Sequence, residues 1–105
     1  MTKTETAKEL LKRAHVKNDF GDEYYVIDGQ RDGEYKSWWP NGQLHTCCFY
    51  KNGRLDGEYK RWYDNGQLDI HCYYKNHQLN GAYESWLTDG QLFVYCQYKN
   101  GVKIN

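Results

Sequence analysis

The chain has 105 residues, the length of a single domain, and its 14 basic and 14 acidic side chains give a formal net charge of zero. This charge balance offers no overall attraction for polyanions, so the composition disfavours nucleic acid as a partner. The mean hydropathy of −1.05, with no long apolar run and no signal peptide, predicts an intracellular, cytoplasmic protein.

The N-terminal segment, residues 1–20, is predicted to form a short helical cap. Its apolar residues recur at helical spacing, at Ala7, Leu10, Leu11 and Ala14. Thr6 and Glu9 fit a capping box at the start of such a helix. A single helix before a repeat stack usually shields the first exposed edge. A membrane anchor and a partner-binding helix are the alternatives, but the apolar stripe is narrow and lacks an aromatic residue, which disfavours membrane insertion.

From residue 21 to residue 105 the sequence repeats with a period of 24 residues. The three complete units read "GEYKSWWPNGQLHTCCFYKNGRLD", "GEYKRWYDNGQLDIHCYYKNHQLN" and "GAYESWLTDGQLFVYCQYKNGVKIN". The segment "YYVIDGQRD" at Tyr24–Asp32 matches the second half of a unit. A fixed period of this length indicates stacked supersecondary units. Residues 21–105 are therefore predicted to hold about three and a half repeats.

Each unit is predicted to contain two antiparallel strands. Asn-Gly or Asp-Gly separates the two strands at residues 41–42, 65–66 and 89–90, and this dipeptide predicts a two-residue hairpin turn with two positive φ angles. The connection between units, "KNGRLDG", is longer and is also centred on Asn-Gly. In the second unit it becomes Asn76-His77, where we expect a slightly strained turn, since histidine tolerates positive φ. The prediction is a meander of six main strands with weaker edge strands near 24–27 and 102–104.

A two-residue turn would pair Trp39 with Leu44, and strand alternation then defines two faces. The face predicted to form the core, called here the core-like face, carries Tyr35, Trp39, Leu44, Thr46, Cys48 and Tyr50 with their equivalents in later units, interrupted by Ser37, Arg61 and Ser85. The opposite face, called here the mixed face, carries Glu34, Lys36, Trp38, His45, Cys47 and Phe49, then Glu58, Lys60, Trp62, Asp69, His71 and Tyr73.

Cys48, Cys72 and Cys96 occupy the same position in successive units. Equivalent residues of a two-strand unit lie roughly 9.5 Å apart. That distance is too long for a disulfide and prevents the column from sharing one zinc ion. Free cysteine behaves as a small buried hydrophobe, so we expect the column to point inward, with thiols that suit a reducing compartment.

The stretch "DIHCYY" at residues 69–74 raises the possibility of a metal site or an activated thiol. His71 and Cys47 share a column of the mixed face but are about two strand spacings apart, and with His45 they match no known ligand pattern. Asp69 lies about 6.6 Å along the strand from His71, too far to orient it. We therefore predict no metal, no cofactor and no catalytic dyad, with Cys47 as the best nucleophile if the protein were an enzyme.

The segments "GEYKSWWPNGQL", "GEYKRWYDNGQL" and "KNGRLDGEYKRW" resemble the MORN-repeat variant found in bacterial proteins and in giant DNA viruses of amoebae. The resemblance covers roughly Tyr24–Asn105, because the Gly, Trp, Asn-Gly and Gln-Leu positions recur together. It implies an elongated stack of antiparallel hairpins, and hence an all-β, single-layer hairpin-repeat meander behind the N-terminal cap. It also implies protein-interaction or dimerisation modules, some linked to phospholipid or membrane binding and some named antitoxins, with no shared enzymatic activity.

The leading hypothesis is a non-catalytic protein-interaction or assembly module, whose candidate partners include a second copy of the chain. Trp and Tyr are common interface anchors, and a single-layer sheet leaves an apolar face short of cover. The predicted contact residues are Trp38, Trp62, Trp86, Phe49 and Tyr73. The alternatives are a membrane-lipid module, disfavoured by the zero net charge, an antitoxin-like inhibitor of a partner protein, an enzyme with a Cys nucleophile and a carbohydrate-binding surface.

Overall fold

The computed structural model describes residues 13–105, which form eleven antiparallel strands in one open sheet. Their bounds are β1 Ala14–Lys17, β2 Glu23–Ile27, β3 Gln30–Arg31, β4 Gly33–Trp38, β5 Leu44–Lys51, β6 Arg54–Trp62, β7 Leu68–Lys75, β8 Gln78–Leu79, β9 Gly81–Trp86, β10 Leu92–Lys99 and β11 Val102–Lys103. The spatial order is β1-β2-β4-β5-β6-β7-β9-β10-β11, with β3 paired to β2 and β8 to β7. The sheet measures 47 × 37 × 19 Å, so the predicted all-β, single-layer meander is confirmed.

The prediction of a helix over residues 1–20 is wrong for its described part. Ala14–Lys17 forms β1, which pairs antiparallel with β2, and His15 contacts Tyr25 with ring centroids 5.1 Å apart. The edge of β2 supplies backbone partners and a surface for the half-buried Val16, and these contacts outweigh the local helical pattern. The remaining helical signals, Ala7, Leu10 and Leu11, lie outside the described residues.

The turn inside each unit differs from the predicted two-residue turn. The Trp39 amide donates to the Gln43 carbonyl at 2.7 Å, and the Gly42 amide donates to the Trp39 carbonyl at 2.9 Å. Residues 40–42 therefore form a three-residue loop in which Gly42, with φ of 89°, has the positive φ and Asn41 does not. The Oδ1 of Asn41 instead accepts a hydrogen bond from the Gln43 amide at 3.0 Å.

The two-residue turn with paired positive φ angles lies instead between the units. Asn52 has a φ of 52° and Gly53 a φ of 79°, and they connect the paired residues Lys51 and Arg54. In the next unit His77 has a φ of 72°, which confirms the predicted positive φ of the histidine in this turn. Asn tolerates the left-handed region and Gly adopts it freely, so these dipeptides fit a type I′ hairpin.

A β-bulge in each unit exchanges two side chains between the faces. The bulge follows from the three-residue loop: Ser37 pairs with Thr46 and Trp38 with Leu44, so His45 is the extra residue. His45 lies on the core-like face, 4.2 Å from the Trp39 ring, whereas Leu44 lies opposite Trp38 on the mixed face. The later units have the same bulge. Leu68 lies opposite Trp62 with Asp69 as the extra residue, and Leu92 lies opposite Trp86 with Phe93 as the extra residue. The predicted faces of Leu44, Leu68, Leu92, His45 and Asp69 are therefore wrong.

The core is a column of cysteines between tyrosine pairs. Cys48, Cys72 and Cys96 are 2%, 1% and 4% exposed, which confirms that they point inward. Each unit adds one edge-to-face tyrosine pair with centroids 5.6–6.0 Å apart, in Tyr35–Tyr50, Tyr59–Tyr74 and Tyr83–Tyr98. Small thiols let these rings approach the sheet, so aromatic contacts replace the second layer of an ordinary domain.

Hydrogen bonds between loops connect successive units at one end of the sheet. The Nδ2 of Asn41 donates to the Asp64 carbonyl at 2.7 Å, and the Nδ2 of Asn65 donates to the Thr88 carbonyl at 3.0 Å. Asp89 occupies the same position in the third unit, and its carboxylate has no N–H to donate. Asparagine therefore stands at the two positions from which a side-chain amide can donate to the loop of the next unit.

We expect Asn65→Asp to lower the free energy of unfolding by about 0.5–1.5 kcal/mol, because the donor to Thr88 is lost while the acceptor is kept. Asp89→Asn is the matched control and should change stability far less, since residues 90–105 contain no further loop of the kind within the units that could accept its amide. Urea unfolding of both variants measures the difference. Equal stability of the two variants would show that the interunit amide bond contributes nothing.

Candidate interaction surface

The mixed face carries an apolar row near the loops within the units. Trp38, Trp62 and Trp86 end strands β4, β6 and β9, and each lies opposite the leucine that begins the next strand. The row therefore alternates tryptophan and leucine across the sheet, and its three tryptophans are half-buried. Sequence reasoning predicted the tryptophan column on this face and missed the leucines, because the bulge that moves them could not be read from alternation.

Phe49 and Tyr73 lie on the same face and are 37% and 38% exposed. A Cβ built on Gly57 would lie 3.5 Å from Cβ of Phe49, and one built on Gly81 would lie 3.6 Å from Cβ of Tyr73. Each ring therefore covers the backbone of the neighbouring strand at a glycine. Phe49 and Tyr73 have a structural contact on one side and a free surface on the other.

Charged side chains cross the middle of the mixed face. Lys36 lies 3.4 Å from Glu34 and Lys60 lies 3.8 Å from Glu58, so the ion pairs form within one strand and not between Glu34 and Lys60. The Nε2 of His71 lies 2.9 Å from Oε2 of Glu58, and its Nδ1 lies 3.8 Å from Oε1 of Glu84. Sequence reasoning missed these histidine contacts, since Glu58 and Glu84 reach His71 from neighbouring strands.

The Cys47 thiol lies in this charged row, between Lys36 and Lys60. Burial is the main cause that raises its pKa, followed by the Glu34 carboxylate 3.9 Å from Sγ, and the two lysines only partly offset this. A raised pKa means less thiolate at neutral pH, and the thiolate is the reactive form. Lys60 also separates Cys47 from His71, so the histidine is not placed to activate the thiol.

The residues considered for a metal site are dispersed by the fold. His45 is on the core-like face, where its Nδ1 lies 2.7 Å from Oγ1 of Thr46, whereas His71 and Cys47 are on the mixed face. In residues 13–105 no group of three or more His, Cys, Asp or Glu side chains is arranged to hold a metal ion. The histidines thus take part in separate polar contacts.

The outer side of Leu92–Cys96 in β10, called here the open edge, is the most apolar exposed part of the sheet. Leu92, Phe93 and Tyr95 are 56%, 68% and 56% exposed, and Val102 and Ile104 beside them are similarly exposed. The predicted contact residues include none of Leu92, Phe93 and Tyr95. The signal was present in the aligned units, since Phe93 stands where the earlier units have His45 and Asp69, and Tyr95 where they have Cys47 and His71.

Comparison with known protein families agrees with this architecture. No helix within residues 13–105 is long and apolar enough to cross a membrane. Neither the curated proteins nor the solved structures gave a significant match. The model of the MORN repeat variant matches three consecutive segments, residues 31–52, 55–76 and 79–100, each of which covers one hairpin turn of the fold. These segments make up more than half of the sequence, and the chain belongs to the MORN repeat variant family.

Proposed function

We propose that this protein is a non-catalytic protein-interaction module that binds its partner through the open edge and the adjoining end of the tryptophan–leucine row. The observation that carries the proposal is the reversal of polarity in the third unit. The third unit has Phe93 and Tyr95, both exposed, where the first two units have polar residues or cysteine. Exposed apolar side chains grouped in this way mark interaction surfaces.

The chemistry of the mixed face supports a role in binding and not in catalysis. The one cysteine on that face has a raised pKa, and its nearest charged neighbours include Glu34. His71 is held by Glu58 and is separated from Cys47 by a strand. A nucleophile and a base within hydrogen-bond reach of each other are the usual signature of covalent catalysis, and these two residues lack it.

The experiment compares capture of binding partners by the wild-type chain and by Phe93→Asp/Tyr95→His, called here the edge variant. The fold already accepts Asp and His at these positions, because Asp69 and His71 occupy them in the second unit. His45→Asp is the matched control, since it makes a similar exchange in the first unit. We expect the edge variant to lose proteins that the wild-type chain and the control both retain. Identical retention by all three would overturn it.

The predicted contacts Trp38, Trp62, Trp86, Phe49 and Tyr73 remain a prediction, and Trp62→Ala tests them. Trp62 is half-buried on the mixed face, so we expect a cooperative thermal transition at a lower temperature. If the partner also covers the middle of the tryptophan–leucine row, its binding should be weaker, whereas a partner confined to the open edge should bind Trp62→Ala as it binds the wild type. Circular dichroism melting checks the fold and quantitative capture checks the binding. A Trp62→Ala chain that fails to fold would assign the column to the core instead.

A further inference from the structure

We propose that the partner at the open edge is a second copy of this chain, paired antiparallel through β10 about a two-fold axis at Val94. This inference rests on the proposed function and specifies its partner. The pairing would join two sheets into one continuous sheet across the two β10 strands. It requires free backbone groups on β10, compatible side chains on both copies and room for the second strand.

The backbone groups are available along one part of β10. The Ile104 amide donates to the Gln97 carbonyl at 2.8 Å, and the Gln97 amide donates to the Asn105 carbonyl at 3.4 Å, so Gln97 points towards β11. Residues two apart in a strand direct their amide and carbonyl to the same side, so those of Tyr95 also point outward. In residues 13–105 the pairing of β11 with β10 involves Tyr98 and Lys99 and does not reach Tyr95.

The side chains indicate an uncharged partner strand. In the first two units the residues equivalent to Tyr95 each pair with a charged residue of the next strand of the sheet. Cys47 pairs with Lys60, and His71 pairs with Glu84. Tyr95 replaces these residues with an uncharged aromatic, and Phe93 and Val94 precede it. A charged strand laid against this edge would lose its hydration without gaining an opposite charge. A second β10 presents the same uncharged side chains and is complementary in this respect.

The opposite end of the sheet does not fit the open edge. Strand β1 presents His15 and Lys17, which are exposed, and the Lys17 ammonium lies 3.9 Å from Glu23. Head-to-tail pairing would place this charged strand against Phe93 and Tyr95. Such pairing would also repeat without closing and form filaments, whereas pairing of two identical edges closes as a dimer.

The length of the free edge fits an antiparallel copy. Within residues 13–105 the part of β10 with no strand paired on its outer side is Leu92–Cys96, and its midpoint is Val94. Ile104 and Asn105 occupy the outer edge of β10 beyond Cys96. In antiparallel pairing centred on Val94, Leu92 of one copy lies opposite Cys96 of the other. Because β10 begins at Leu92, the second strand stops before it reaches Ile104 and Asn105. The exposed Val102 and Ile104 of each copy then lie beside the start of the other strand and add apolar contact.

Light scattering in line with size exclusion, across a dilution series, tests the pairing. We expect the wild-type chain to have twice the 12.6 kDa chain mass and the edge variant to have the single mass, with its dissociation constant raised about a hundredfold. The His45→Asp control should remain a dimer. Thermal melting of the edge variant, which should stay cooperative, separates loss of pairing from loss of folding.

The alternative results each overturn the inference. A wild-type chain of single mass at every concentration excludes a second copy, and so does an edge variant that dimerises like the wild type. A mass that rises continuously with concentration indicates head-to-tail association. In each case the proposed function stands if the edge variant still loses a captured protein, and it fails with the inference if capture is also unchanged.

Discussion

Replacing Gly57 with alanine is expected to lower the free energy of unfolding by about 1–3 kcal/mol. Gly57 has a φ of 117°, which side-chain-bearing residues rarely adopt. An added Cβ would lie 3.5 Å from Cβ of Phe49, an ordinary contact distance, so the cost comes from the backbone and not from a clash. Gly33 and Gly81 have φ of 112° and 119°, so the same conformation recurs in every unit.

Thermal unfolding measures this effect, since about 1 kcal/mol shifts the midpoint by roughly 4–8 °C in a domain of this size. Gly53→His is the matched control: Gly53 also has a positive φ, but His77 takes the equivalent position in the next unit. We expect the control to melt near the wild type and Gly57→Ala to melt well below it. If Gly57→Ala melts with the control, the φ of 117° at Gly57 does not disfavour a residue with a side chain.

The second large effect is a loss of stability in alkali. Burial is the main cause that raises the pKa of the Cys48 thiol to about 12, of the Cys72 thiol to about 11 and of the Tyr74 hydroxyl to about 12. The ordinary values are 9.0 for the thiols and 10.0 for tyrosine. Below pH 9 these groups are neutral in the folded and unfolded chains, so their burial carries no penalty from ionisation.

Between pH 9 and about pH 12 the unfolded chain loses protons that the folded chain keeps. The free energy of unfolding therefore falls as the pH rises through this range and levels off above it. Urea midpoints measured from pH 8 to pH 12 should show this decline. Cys72→Ala removes one of the three groups, so its decline between pH 9 and pH 11 should be shallower, and equal slopes for both chains would contradict the assignment.

The strands and the inward column could be predicted because their signals are local and repeated. Each unit repeats the same glycines and the same alternation, and Cys48, Cys72 and Cys96 lie where that alternation put them. The positive φ of His77 was also predictable, because His replaces Gly in an otherwise repeated turn. Three aligned copies gave each of these inferences independent support.

The loops within the units could not be predicted correctly from the dipeptide alone. Asn41-Gly42 fits a two-residue turn, but Asn41 also bonds the Gln43 amide and the Asp64 carbonyl of the next unit. The second bond depends on a residue that reaches Asn41 through stacking, so it leaves no mark within the local sequence. The third unit forms the same three-residue loop and bulge without that contact, because the Oδ1 of Asp89 accepts the Gln91 amide at 3.0 Å as Asn41 accepts that of Gln43. The loop, and hence the faces of Leu44 and His45, therefore goes with this local side-chain bond, which the Asn-Gly or Asp-Gly dipeptide alone does not reveal.

The N-terminal strand and the open edge illustrate the same limit. Ala14–Lys17 has a helical pattern, yet it pairs with β2 because the sheet edge offers hydrogen-bond partners. Phe93 and Tyr95 are ordinary strand residues in isolation, and their exposure depends on what lies beside β10. Comparing each unit with its neighbours gives the missing signal, because a position that is polar in two units and aromatic in the third indicates a candidate interaction surface.

Amide hydrogen exchange at Tyr95, measured in concentrated and in dilute solution, tests the role of the open edge most directly. We expect slow exchange at high concentration, where a second β10 would accept the Tyr95 amide, and fast exchange on dilution. The amide of Cys47, the equivalent residue in the first unit, faces β6 within the chain and should be protected in both solutions. Fast exchange at Tyr95 at every concentration would exclude pairing through β10, because the edge would then remain unpaired.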